Sequence, residues 1–124
     1  MRPLIGFFCV CLLGLSQTDD PAEKSHRAKQ AMVAGNFEQA ATLYRELVRT
    51  LPENPDLHMN LGLALHSAGH YPQAIVEFTT VLKARPDYTE AWLLIGLARQ
   101  KLGQPEPESY LASALNSSAP QHTQ

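Results

Sequence analysis

The sequence predicts an all-α fold, a stack of antiparallel helix pairs. Two residue types mark the units by recurring three times at an interval of 34 residues: Gly35, Gly69, Gly103, Pro52, Pro86 and Pro120. Between these marks, apolar residues recur at the spacing of one helix face. Apolar residues make up 44% of the 124 residues and charged residues 18%, which is enough to bury a core.

Each recurring position has a structural role in the predicted unit. The glycines follow apolar-periodic segments and supply the left-handed backbone that ends a helix. Ala40 and Ala74 are small where two helices approach closely. Tyr44 and Phe78, four residues later, share the inward face, and the prolines stop each second helix.

Six helices are therefore expected, two for each unit. They are predicted at Ala22–Ala34, Phe37–Thr50, Pro55–Ser67, Tyr71–Ala84, Thr89–Leu102 and Glu106–Asn116. The sixth should be short and loosely packed, because Pro105, Glu108 and Ala112 stand at the aromatic, small and aromatic positions of its unit.

The pattern resembles the tetratricopeptide-repeat (TPR) family, whose unit of about 34 residues reads W-x2-L-G-x2-Y, then A-x3-F, then P. The third unit supplies Trp92, Ile95 and Gly96, and the second places His58 at the tryptophan position, followed by Leu61-Gly62. The resemblance implies a right-handed α-solenoid of three helix-turn-helix repeats, the third degenerate. The expected divisions are a signal peptide 1–16, a linker 17–20, repeats 21–54, 55–88 and 89–116, and a disordered tail 117–124.

The N-terminal segment predicts export. Arg2 precedes the apolar run Leu4–Leu15, which is shorter than the about 20 residues of a membrane span and suits a secretory signal peptide. The expected location is periplasmic or extracellular; the alternative is a membrane tether formed by an uncleaved leader. Cys9 and Cys11 both lie in this run, so cleavage after Ser16 would leave no cysteine for a disulfide, a thiol nucleophile or a metal site.

Resemblance to the TPR family implies a binding surface on the first helix of each pair. The residues at the matching positions are Lys29, Met32, Met59, Asn60, Leu63, His66, Leu93, Leu97 and Gln100. An apolar strip with polar edges favours an apolar peptide or an amphipathic helix as partner. Leu93 and Leu97 have an alternative interpretation, in which they pack between adjacent helix pairs.

One binding mode of the family is predicted to be absent. Co-chaperone TPR domains hold a C-terminal carboxylate with lysine, asparagine and arginine side chains. Of those positions only Asn60 matches here; Ser25, Lys29, Glu90 and Leu94 occupy the others. An acid at position 90 would repel a carboxylate.

Other function classes find little support. The net charge is −2 without a concentrated basic face, which argues against nucleic-acid binding. His66 and His70 are separated by Gly69, and His58 is expected to be a satisfied core histidine, so no metal site is predicted. No phosphate loop, nucleophile elbow or H-E-x-x-H motif is present, and neither an enzyme activity nor a cofactor is expected.

The predicted function is a non-catalytic scaffold that binds another protein or peptide in the concave groove. The alternative is an assembly subunit that self-associates, or caps a larger complex, through its last helix pair.

Overall fold

Five α-helices follow one another in the computed structural model, which describes residues 20–104. They are α1 (Pro21–Val33), α2 (Phe37–Thr50), α3 (Pro55–Ser67), α4 (Tyr71–Ala84) and α5 (Thr89–Lys101). No strand occurs within this range. The predicted signal peptide, the sixth helix and the tail lie outside the described residues.

The turn inside each pair is the same structure repeated. Gly35, Gly69 and Gly103 have φ of +78°, +85° and +68°, which confirms the predicted left-handed glycines. The amide of the residue after each glycine reaches back five residues to a helix carbonyl, for instance from Asn36 to Ala31 and from His70 to Leu65, both at 2.8 Å. This cap satisfies carbonyls at the helix end and turns the chain toward the next helix.

The start of α3 is set by a side-chain cap. The Asn54 carboxamide oxygen accepts hydrogen bonds from the backbone N–H groups of Asp56 at 3.0 Å and Leu57 at 3.4 Å. Pro55 follows at the first helical position, where its missing N–H leaves no donor unsatisfied. The start of α2 differs, because Asn36 makes no side-chain cap bond there.

The core lies between helices that are consecutive in the chain. Helix α1 packs against α2, α2 against α3, α3 against α4, and α4 against α5. Ala40, Ala74 and Phe78 are fully buried, and Tyr44 is 3% exposed, so the predicted inward face is confirmed. Gly62 of α3 lies directly beneath the Phe78 ring of α4; a Cβ there would stand 2.5 Å from Cε1.

Two side chains at the same repeat position make the same bond to the loop before their helix. The Trp92 Nε1–H donates to the Pro86 carbonyl at 2.9 Å, and the His58 Nε2–H donates to the Pro52 carbonyl at 2.7 Å. Each bond spans six residues and holds the loop against the helix that follows it. His58 is therefore a satisfied, partly buried histidine, as the sequence predicted.

Candidate functional site

The nine predicted groove residues all lie on α1, α3 and α5, the first helices of successive pairs. The C-terminal turns of α3 and α5 are close enough for the positive charge of Lys101 to act on His66. We call the exposed and half-buried members of this set the groove surface: Lys29, Met32, Asn60, Leu63, His66, Leu93, Leu97 and Gln100.

The apolar part of the groove surface is most exposed on α5. Leu93 and Leu97 are 42% and 41% exposed and lie one helical turn apart. Leu63 on α3 and Met32 on α1 are half-buried and pack against the core. The two α5 leucines therefore offer most of the apolar area that a partner could cover.

Met59, the ninth predicted groove residue, is buried in the core and is not part of the groove surface. Its side chain is 4% exposed and belongs to the hydrophobic core. Because α3 has packed neighbours on both sides, α2 and α4, this position is covered. Met59 therefore contributes almost no accessible area that a partner could contact.

His66 gives the centre of the groove surface an uncharged polar group. Burial and then the charge of Lys101 lower the pKa of His66 below the ordinary histidine value. Its ring stands edge-on to Tyr71, with centroids 5.1 Å apart and planes at 77°. Its Nε2 atom is buried and has no hydrogen-bond partner among residues 20–104. The imidazole is therefore neutral near pH 7.

Polar residues stand around this centre. Lys29 on α1 and Gln100 on α5 are exposed, and Asn60 on α3 is half-buried. Glu90, in the first turn of α5, is also exposed. The groove surface thus combines an apolar strip with the positive charge of Lys29, and the negative charge of Glu90 lies on the same helix as Leu93 and Leu97.

Sequence reasoning missed Lys101, which ends α5 and whose positive charge acts on His66. Lys101 directly follows Gln100, so extending the groove pattern by one residue would have found it. Val33 holds the same position of the 34-residue unit at the end of α1, with 91% of its side chain exposed.

The four histidines among residues 20–104 do not converge on a metal site. The His70 Nε2 contacts the Glu38 carboxylate of α2, whereas the His66 ring faces Tyr71. In the described part of the chain, no three histidine, cysteine or acidic side chains cluster as metal ligands. None of the helices in that part is long and apolar enough to cross a membrane.

Comparison with known proteins agrees with this geometry. A family profile described as tetratricopeptide repeat matches residues 31–98, more than half of the chain. The small glutamine-rich tetratricopeptide repeat-containing protein 2 of Saccharomyces cerevisiae is 27% identical over 95 residues, 71% of this chain. The matched region is 28% of that protein, so the chain corresponds to a minor part of its length.

Solved structures share the fold. The MamA protein superposes with a TM-score of 0.73 at 20% identity, covering 82% of this chain and 56% of MamA. The second TPR domain of Spaghetti (RPAP3), bound to the HSP90 peptide SRMEEVD, superposes with a TM-score of 0.69 at 22% identity, covering 77% of this chain and 90% of that domain. With the profile match and the repeated glycine caps, these comparisons show that the chain belongs to the tetratricopeptide-repeat family.

Proposed function

We propose that this chain is a non-catalytic protein-interaction scaffold that binds an apolar peptide, or the apolar face of an amphipathic helix, along the groove surface. The observation that carries the proposal is the pair Leu93 and Leu97, each more than 40% exposed and one turn apart on α5. Single exposed leucines are ordinary on protein surfaces, but an apolar strip with a polar rim is typical of interaction sites. Because burial and the charge of Lys101 lower the pKa of His66, its ring adds little positive charge beside the strip.

The same residues argue against an acidic C-terminal partner. The Spaghetti domain binds the HSP90 peptide SRMEEVD, which carries acidic residues at its C-terminal end. In this chain the two positions on α5 where a carboxylate clamp would need cations hold Glu90 and Leu94. Without those charges a C-terminal carboxylate would lose its solvation and gain no charge-assisted hydrogen bond. An apolar partner has no such requirement.

Alanine at Leu93 and Leu97 tests the proposal. Full burial of a leucine contributes about 1.5–3 kcal/mol, so covering the exposed two-fifths of each contributes about 1 kcal/mol. The double variant should therefore bind a partner about 30-fold more weakly, at about 1.4 kcal/mol for each tenfold change in affinity. Val76→Ala is the matched control, because Val76 is 62% exposed but lies on α4, a second helix.

The partner is best identified by crosslinking. A photoreactive amino acid at position 97 should capture it in the native compartment, whereas the same group at position 76 should not. Calorimetry of the purified pair then gives the affinities of both variants. Unchanged affinity in a folded Leu93→Ala/Leu97→Ala protein would contradict the proposal. If the captured species is a second copy of this chain, light scattering of the free protein should show concentration-dependent assembly.

We also propose that the scaffold works outside the cytoplasm. The support is the apolar run Leu4–Leu15 followed by small and polar residues, the pattern of a cleaved signal peptide. The intact mass of the protein from fractionated cells tests this. A mature chain that begins near Gln17 is the expected result. A full-length chain in the membrane fraction would instead indicate an uncleaved tether.

A further inference from the structure

His58 is held between two groups that only accept hydrogen bonds. Its Nε2 atom lies 2.7 Å from the Pro52 carbonyl oxygen, and its Nδ1 atom lies 2.6 Å from the Glu77 carboxylate. Pro52 belongs to the loop that joins the first helix pair to the second, and Glu77 belongs to α4. The ring therefore connects the interpair loop, α3 and α4.

This arrangement requires a second ring proton. Neutral imidazole carries one N–H, and the Pro52 carbonyl can only accept it. A neutral ring would then turn the Nδ1 lone pair toward a carboxylate at 2.6 Å, placing two acceptors against each other. The imidazolium form donates from both nitrogens and satisfies both partners.

The charges around the ring also favour the protonated form of His58. Burial lowers the pKa of His58, but the hydrogen bonds to Glu77 and Pro52 and the negative charges of Glu77 and Glu53 together raise it above the ordinary value. The side chains are 12% exposed for His58 and 20% for Glu77, so solvent screens the pair only in part.

Three other charged side chains lie near the His58 ring or its cavity: Glu53, Asp56 and Lys83. Lys83 of α4 lines the cavity of about 270 Å³ beside His58, together with Glu53 of the loop. Asp56, two residues before His58 on α3, is paired with Arg85 at 3.1 Å. Lys83 is the one lysine that lines this cavity. The charges that act on the pKa of His58 are those of Glu77 and Glu53, and both raise it.

Trp92 shows what is special about a histidine at this position. Trp92 makes the equivalent bond to Pro86 with an indole N–H, which does not titrate.

We propose that His58 is a pH-operated clamp at the joint between the first and second helix pairs. When protonated, it binds the Pro52 loop to α4 through Glu77; when neutral, it keeps one of these bonds and releases the other.

The pH dependence follows from the linkage between protonation and folding. The folded-state pKa of His58 is raised, so the clamp contributes its full stability below the unfolded value of about 6.5. That contribution is lost as the pH rises through the folded-state value. The joint should therefore be tighter in a mildly acidic compartment than in an alkaline one.

Two measurements on the full chain test the clamp. In an NMR titration of the imidazole nitrogens, His58 should carry protons on both nitrogens near pH 6.5 and titrate above the ordinary histidine value of about 6.5. Glu77→Gln should lower the midpoint for His58, because it removes the carboxylate charge and keeps the side-chain shape. A His58 midpoint at or below the ordinary value, or one that Glu77→Gln leaves unchanged, would overturn the proposal.

The matched variant is His58→Trp, which copies the residue at position 92. It should keep the Pro52 bond and lose the proton-dependent part of the stability. Thermal unfolding between about pH 5.5 and pH 8.5 should show a larger loss of Tm on alkalinisation in the wild type than in this variant. Parallel Tm profiles would refute the clamp. If His58→Trp does not fold, the NMR titrations of the wild type and of Glu77→Gln still test whether His58 is a protonated clamp.

Discussion

Alanine at Gly62 should destabilise this protein, although alanine is the better helix former. Gly62 lies in the middle of α3, and a Cβ there would stand 2.5 Å from Cε1 and 2.8 Å from Cδ1 of Phe78. Carbon atoms pack best at about 3.5–4.0 Å. The Phe78 ring is fully buried, so it cannot move aside into solvent.

The magnitude follows from two opposing effects. Alanine in place of glycine inside a helix stabilises it by about 1 kcal/mol. Overpacking a tight core costs about 1–3 kcal/mol, and an overlap of about 1 Å belongs at the upper end. We expect Gly62→Ala to lower the free energy of unfolding by about 2 kcal/mol, the difference between these two effects. For a domain of this size, that corresponds to a Tm lower by about 8–16 °C.

Thermal and urea unfolding measure the effect, and two controls isolate its cause. Thr79→Ala compared with Thr79→Gly, at an exposed position within α4, gives the propensity difference without a packing change. In a Phe78→Leu background, Gly62→Ala should cost less, because the ring is gone. A Gly62→Ala protein as stable as the wild type, or more stable, would show that the ring yields and would refute the reasoning.

Three further outcomes are expected. Asn54→Ala should lower the free energy of urea unfolding by about 1 kcal/mol, because two backbone N–H groups lose their cap; Asn36→Ala, whose side chain makes no cap bond, should change it little. Gly69→Ala should cost about 1–2 kcal/mol in the same assay, because φ is +85°, and the open space around it leaves backbone strain as the only cause. His66 should titrate by NMR below the ordinary histidine value of about 6.5, since burial and Lys101 both lower its pKa; a midpoint above that value would contradict the buried placement.

Most of the fold could be predicted because the repeat signals are local. The bounds of α2, α3 and α4 match the sequence prediction; α1 differs from it by one residue at each end, and α5 by one residue at its C-terminal end. Glycine at the helix end and proline near the next start act through their own backbone, so no knowledge of distant contacts is needed. Because the units repeat every 34 residues, helix bounds found in one unit predict the bounds in the next.

The details of the site depended on neighbours that register alone does not reveal. Met59 and Leu93 occupy the same repeat position, yet their exposures are 4% and 42%. The helix of Met59 is flanked by α2 and α4, whereas among the described residues α5 has α4 as its packed neighbour. Likewise, the position of His58 in the unit indicated a satisfied side chain, but Glu77, 19 residues later, was not identifiable as its partner.

The packing of each helix against its chain neighbours also determines how the molecule forms and comes apart. Contacts close in sequence require little loop closure, so we expect folding to be rapid and to spread from one helix pair to the next. Among the described helices, α1 and α5 each have one strongly packed neighbour, so unfolding of this part should begin at one of them and reach α3 last. Hydrogen exchange along the chain should therefore show protection that rises from α1 toward α3, with the slowest amides in the helix that carries both Gly62 and His58.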